Sequence, residues 1–295
     1  MKHGDPGQHL VTSWNYIRDS FQPDDRLAVV IKNQQKNQLT QRLAAAEVLI
    51  TSKYQAWLRY ENAQGGDIYI SMNPLKPDAR GRTKNNIAAV RHLYLDLDRY
   101  ALQSLMAICE DTRVPNPSYV LNTSDGKYKV VWRMTDGDPD RAEKLQRSMA
   151  IEYGADRAAT DVTRVLRVPG FRNHKYGPPY QVTAEKISAA PCSIKDFKIP
   201  NEAEIHPIAE AVERRLKAHP GSGHASQSER DWAETLRRLE RGEHPSIVQT
   251  WLAQSRPDKH NPNYYAALTI RKAVAELERR REGPSLDFYT PTQQP

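Results

Sequence analysis

Short runs of period two and longer runs of period near 3.6 alternate along the first two-thirds of the chain, predicting mixed strands and helices. LAVVIK (27–32) predicts a strand and QLTQRLAAAEVL (38–49) a helix. YQAWLRYENAQGGDIYISM (54–72) predicts two strands around a Gly65–Gly66 turn. HLYLDLD (92–98) predicts a strand with Leu93, Leu95 and Leu97 on one face and Tyr94, Asp96 and Asp98 on the other. A helix near 100–111 follows, then a strand at 118–124, a turn at Asp125–Gly126 and a strand at 127–134. Residues 138–154 predict a helix capped by Asp138, and VLRVPGF and PYQVTAE predict two further strands.

From about residue 203 the strand signals stop. EIHPIAEAVERRLKAHPGSG predicts a helix ending in a Gly/Pro/Ser break. In SQSERDWAETLRRLERG, Ser228 and Asp231 are spaced as a capping box and Gly242 as a helix stop. PSIVQTWLAQS and NPNYYAALTIRKAVAELERRREG complete the helical set. The expected organisation is an α+β domain over 1–200, a linker over 201–224, an all-α helical domain over 225–283 and a loose tail over 284–295.

Charge changes this picture more than composition does. The formal net charge is +7 over 295 residues, a balance that suits a polyanionic partner. No apolar run approaches the ~20 residues of a membrane helix, and MKHGDPGQHL lacks a signal-peptide core, so cytoplasmic residence is expected. Two isolated cysteines, Cys109 and Cys192, exclude a four-cysteine zinc or iron–sulfur site within this chain.

Aspartate is depleted from strands, which makes HLYLDLD anomalous. Residues i and i+2 on one strand face lie roughly 6–7 Å apart, so Asp96 and Asp98 can converge on one site. Their repulsion must be offset by protonation, by flanking cations such as Arg91 or Arg99, or by a divalent metal. Oxygen-only ligands favour Mg²⁺ or Mn²⁺ over zinc. In the strand after Asp125–Gly126, Tyr128, Val130 and Trp132 share an apolar face, while Lys127, Lys129 and Arg133 share the other. Thr123 and Ser124 add hydroxyls upstream. Cations beside carboxylates suit a nucleoside triphosphate and its metal, although an exposed, salt-bridged hairpin has the same pattern. A third segment, TDVTRVLRVPGFRNHK (160–175), places Asp161 ahead of a dense cluster of Arg164, Arg167, Arg172, His174 and Lys175.

These three segments together resemble the archaeo-eukaryotic primase superfamily, and among its members the RepB-like primases of plasmids and mobile elements. The matching motifs are YLDLD (94–98), TSDGKYKVVW (123–132) and TDVTRVLRVPGF (160–171), and the resemblance spans roughly residues 50–185. Much of the superfamily carries a histidine in the second motif, where Lys129 stands here. The C-terminal run 226–269 also resembles the helical module that often follows such domains.

The resemblance implies an RRM-like antiparallel sheet backed by helices. Asp96, Asp98 and Asp161 would hold two divalent ions. Ser124, Lys127, Lys129, Arg164, Arg167 and Lys175 would bind the nucleotide. The implied reaction is primer synthesis from nucleoside triphosphates on single-stranded DNA, with a replicative helicase or initiator as a further partner. In the C-terminal helices, Arg237, Arg238, Lys259, Tyr264, Arg271 and Lys272 are the candidate DNA contacts. There Trp232, Trp251 and Tyr265 could stack on bases, or fill the helical core. A nicking initiator would need an H-x-H motif, and the nine histidines include none. A non-catalytic binder with an RRM-like sheet would expose aromatics where Asp96 and Asp98 stand.

Overall fold

The computed structural model describes residues 11–200 and 227–282, apart from 99, 136, 176 and 260. The chain divides into two compact units, Met1–Ala218 and His219–Pro295. The expected linker at 201–224, its helix at 204–223 and the tail at 284–295 lie outside the described residues.

The first unit runs α1 (Ser13–Ser20), β1 (Arg26–Asn33), β2 (Gln38–Ala45), α2 (Ala46–Leu49), α3 (Ser52–Ala63), β3 (Gly66–Ser71) and β4 (His92–Leu97). It continues with α4 (Ala101–Glu110), β5 (Tyr119–Ser124), β6 (Lys127–Arg133), α5 (Pro139–Glu152), β7 (Val165–Arg167), β8 (Arg172–Asn173), β9 (Tyr180–Gln181) and β10 (Thr183–Lys186). The fold is mixed α+β. Its antiparallel strands form two four-stranded sheets, in orders β2-β1-β3-β7 and β10-β5-β6-β4, and one two-stranded sheet, β8-β9. One apolar cluster draws Leu27, Val29 and Ile31 of β1 and Ile68 and Ile70 of β3 together with Tyr94, Tyr119, Leu121 and Val131 of the other sheet. Tyr16 of α1 packs edge-on against Tyr119, with ring centroids 5.1 Å apart. Both sheets are therefore anchored to the same core.

Two expectations for the first unit are corrected. Residues 38–49 form a strand and a single helical turn rather than one helix. Their Ala, Leu, Gln and Arg content suits a helix, but every residue of β2 pairs with β1, from Asn33↔Gln38 to Arg26↔Ala45. Ladder bonding to a neighbour outweighs propensities of a few tenths of a kcal/mol per residue. Residues 54–63 belong to α3, not to a strand. Thr51 caps α3 by accepting from the Tyr54 amide, and Gln55, Leu58 and Asn62 recur on its buried face at helical spacing. Gly65 then turns the chain at φ +85°.

The second unit contains α6 (Gln227–Glu240), α7 (Pro245–Ser255) and α8 (Pro262–Glu282). Leu236, Leu239, Val248, Ile270 and Ala273 form its core. Gly242, at φ +85°, ends α6 as expected. The expected capping box is corrected, because α6 begins before Ser228. Asp231 is instead buried, pairing with Arg256 and accepting from the Tyr265 hydroxyl at 2.7 Å.

Candidate active site

Strand β4 pairs antiparallel with β6, and the register sets Asp96 directly opposite Lys129. The Lys129 ammonium contacts the Asp96 carboxylate and lies 3.8 Å from that of Asp98. Lys127, two residues away on the same face, lies 3.5 Å from Asp98. The tight turn joining β5 to β6 uses Gly126 at φ +64°, and Ser124 closes β5 opposite Lys127. The two carboxylates thus converge on one point, and that point carries a positive charge.

Lys129 is mostly buried, with 11% of its side chain exposed. Burial draws its ammonium down to about 8 from the ordinary lysine range. The positive charges of Arg167, Lys175 and Arg164 push the same way, and Asp156 opposes them. Residues from β6 and from the 156–175 segment therefore share one electrostatic neighbourhood. The main-chain amide of Asp156 also donates to the Asp96 carbonyl at 2.8 Å.

Asp161 reaches this region by its backbone: the Tyr94 hydroxyl, on the strand that carries Asp96, donates to the Asp161 carbonyl. Its carboxylate turns elsewhere, to Arg164 at 2.8 Å and to the Thr163 hydroxyl at 2.5 Å. Among the described residues, no group of three or more His, Cys, Asp and Glu side chains is arranged to hold a metal. Asp96 and Asp98 fit a shared cation, since an ammonium already occupies the point they face. Asp161 completes no set with them in this arrangement.

The sequence matches the RepB DNA-primase N-terminal domain family over residues 34–187, slightly more than half of the chain. The chain belongs to that family. A replication protein of Clostridium perfringens is 34% identical over 125 residues, which are 37% of this chain and 30% of the relative. Mobilization protein A of Escherichia coli is 28% identical over 153 residues, 51% of this chain and 19% of the relative. The chain thus spans less than a third of the length of these curated relatives. Among solved structures, it is similar to the catalytic domain of primase RepB' in complex with initiator DNA, at 20% identity and a TM-score of 0.45. That likeness covers 70% of this chain and 97% of the other. The primase-polymerase domain of cyanophage S-2L is similar at 15% identity and a TM-score of 0.48, over 61% of this chain and 91% of the other.

Three charged residues of this RepB-family domain escaped the sequence reading. Asp67 on β3 is 1% exposed and pairs with Arg167 at 2.8 Å. Its signal was present, since it is an aspartate inside an apolar strand, the same anomaly that marks Asp96. Arg82 lies between β3 and β4 and donates to the Thr163 carbonyl at 2.7 Å. Nothing local marks it. Asp156 stands five residues before Asp161, just ahead of the third motif.

In the helical unit, Tyr264 is corrected as a candidate DNA contact. It is 6% exposed, and Tyr265 is 1% exposed, so their rings fill the core and offer no face to a base. Trp232 and Trp251 pack against the same core. Lys272 lies 4.5 Å from the Trp232 ring and Arg238 lies 4.4 Å from Trp251, where cations over rings seal the aromatics from water. Lys259 covers Tyr265 at 4.7 Å, and Arg238 also pairs with Glu243 at 2.7 Å. Arg237 pairs with Glu234 at 2.8 Å and, like Arg271, is exposed. No helix among the described residues is long and apolar enough to cross a membrane.

Proposed function

We propose that the chain is a nucleotidyltransferase that makes short primers on single-stranded DNA in the replication of a plasmid, phage or other mobile element. The observation that carries this reading is the convergence of Asp96 and Asp98 on the Lys129 ammonium, with Lys127 beside Asp98. Family membership and relatives named for replication and mobilization support it. The order β4-α4-β5-β6-α5, with β4 beside β6 and β6 beside β5, supports an RRM-like catalytic sheet.

In this proposal Asp96 and Asp98, joined by Asp161 once it releases Arg164, hold Mg²⁺ or Mn²⁺. The bound ions would lower the pKa of the attacking 3′-hydroxyl and neutralise the triphosphate. Lys127, Lys129, Arg164, Arg167 and Lys175 hold phosphate oxygens, with Ser124 donating from the hairpin. The 3′-oxygen attacks the α-phosphorus, its proton passes to solvent, and pyrophosphate leaves. Lys129 serves two roles: it shields the paired carboxylates from each other, and it can swing to the incoming phosphates. The α6–α8 helices capture template or the initiating nucleotide through Arg237, Arg238, Lys259, Arg271 and Lys272, and offer a docking surface to a helicase or initiator. The expected compartment is the cytoplasm, where template and nucleotides meet.

Primer synthesis on single-stranded DNA with Mg²⁺ or Mn²⁺ tests this directly. Wild type is expected to yield product, and the Asp96→Ala plus Asp98→Ala variant none. Equal product from both overturns the assignment. Binding without product in wild type is the outcome a non-catalytic binder gives. If the basic helices contact phosphates, affinity for DNA falls steeply with salt.

A further inference from the structure

Asp67 is the most deeply buried carboxylate beside the site, and it holds three donors. Arg167 Nη2 donates to it at 2.8 Å, the His174 main-chain amide at 2.5 Å and the Tyr69 hydroxyl at 3.3 Å. Tyr69 is also the cross-strand partner of Arg167, and its ring lies 4.8 Å from the guanidinium. Carboxylate, guanidinium and ring together fix Arg167 in one orientation, because a buried charge is tolerated only when paired and hydrogen-bonded.

The segment carrying His174 is fixed independently. Asn62 clamps residue 172 by accepting from its amide at 2.9 Å and donating to its carbonyl at 2.8 Å. Asn173 donates to the Thr123 carbonyl at 2.7 Å, which ties the segment to the strand that ends in Ser124. These bonds use the backbone of 172 and 174 and the side-chain amide of Asn173, and they leave the imidazole uncommitted. His174 Nε2, Arg167 Nε and Arg164 Nε are all buried atoms with no hydrogen-bond partner among the described residues. A buried donor left without an acceptor is destabilising, and an acceptor oxygen on a bound ligand relieves that cost.

We infer that His174 is a further triphosphate-binding residue, its Nε2–H donating to a phosphate oxygen, and that Asp67 positions it together with Arg167. The inference rests on the nucleotidyltransferase reading and deepens it. The ligand class follows from charge and geometry: Arg164, Arg167, Lys129 and Lys175 make the surroundings cationic, and the unspent atoms call for a polyanion with several acceptor oxygens. Here His174 touches the substrate, while Asp67 is a positioning residue that acts through Arg167 and the 174 amide.

The test is calorimetric binding of GTP, GMP and inorganic triphosphate to the full chain with Mg²⁺. His174→Ala is expected to weaken GTP and inorganic triphosphate by about tenfold or more, as a lost bond to a charged group would, and to leave GMP unchanged. His174→Gln, which can place an amide N–H near Nε2, is expected to restore part of the loss. Asp67→Asn is expected to raise KM for the nucleotide with little change in kcat. Wild-type affinity for GTP and inorganic triphosphate in a folded His174→Ala protein overturns this inference alone. If the wild type binds neither ligand, the nucleotidyltransferase reading falls and takes this one with it.

Discussion

Lys129 on β6 contacts Asp96 across the antiparallel pair, with Asp98 3.8 Å away. Removing the ammonium leaves two carboxylates facing one point, with Lys127 3.5 Å from Asp98. Lys129→Met is expected to cost about 2–3 kcal/mol without metal, below the cost of a fully buried pair because 19% of the Asp96 side chain remains exposed. Millimolar Mg²⁺ or Mn²⁺ should then raise the Tm of the variant more than that of wild type, since no ammonium competes with the ion. Thermal unfolding with and without metal measures this. Equal shifts in the two proteins would remove the pair from metal binding.

Stability should weaken in mild acid because of His92. Its ring is fully buried, with Nδ1 2.5 Å from the Met72 carbonyl oxygen, and burial lowers its pKa to about 4. An unfolded chain binds that proton near pH 6.5. The unfolded state therefore gains protons that the native state refuses as pH falls from about 6.5 to about 4, and the loss levels off below that. The full effect is about 3 kcal/mol. Denaturant midpoints followed through this window should fall in wild type and stay flatter in His92→Asn.

Two glycines should respond differently to alanine. A Cβ on Gly66 would stand 2.8 Å from Ile31 Cγ2 and 2.9 Å from the Glu61 carbonyl oxygen, where α3 closes onto β3. Gly66→Ala is expected to cost about 2–3 kcal/mol, as overpacking does. Gly126 meets nothing within 4 Å, and only its φ of +64° opposes a side chain. Gly126→Ala is expected to cost about 1 kcal/mol. Urea midpoints of the two variants give the order, and a reversed order would contradict the close approach at Gly66.

The helical unit should depend on one ion pair. Asp231 and Arg256 expose 6% and 8% of their side chains. Asp231→Ala removes the buried acceptor shared by Arg256 and the Tyr265 hydroxyl and leaves the guanidinium on the exposed Asp258 carboxylate at 2.7 Å, at an expected cost of about 2–3 kcal/mol. Hydrogen exchange of the intact protein should accelerate across α6, α7 and α8, while β4 and β6 keep their protection. Uniform acceleration throughout the chain would mean that the helices do not open as a separate unit.

Much of the candidate site was legible because its signals are local. The alternation in HLYLDLD and KYKVVWR marks both strands, and the Asp125–Gly126 turn marks the hairpin that joins β5 to β6. Asp138 was readable as a cap, and it accepts from the amides of residues 140 and 141. The misread segments were those whose local preference and tertiary pairing disagree. Residues 38–45 look helical until β1 is laid beside them. Residues 54–63 contain aromatics that suit a strand, but Trp57 donates to Glu61 one helical turn on, at 3.0 Å.

By itself, the order of residues determined which stretches alternate, where the chain turns, and that two aspartates share a strand face, since these depend only on neighbours a few positions apart. Only the tertiary structure decided that Asp96 meets Lys129, that Asp67 fastens Arg167 from 100 residues away, and that Tyr264 looks inward. It also decided that Lys129 titrates near 8. Those outcomes depend on burial and on charges brought from distant parts of the chain, quantities that exist only once the core has closed.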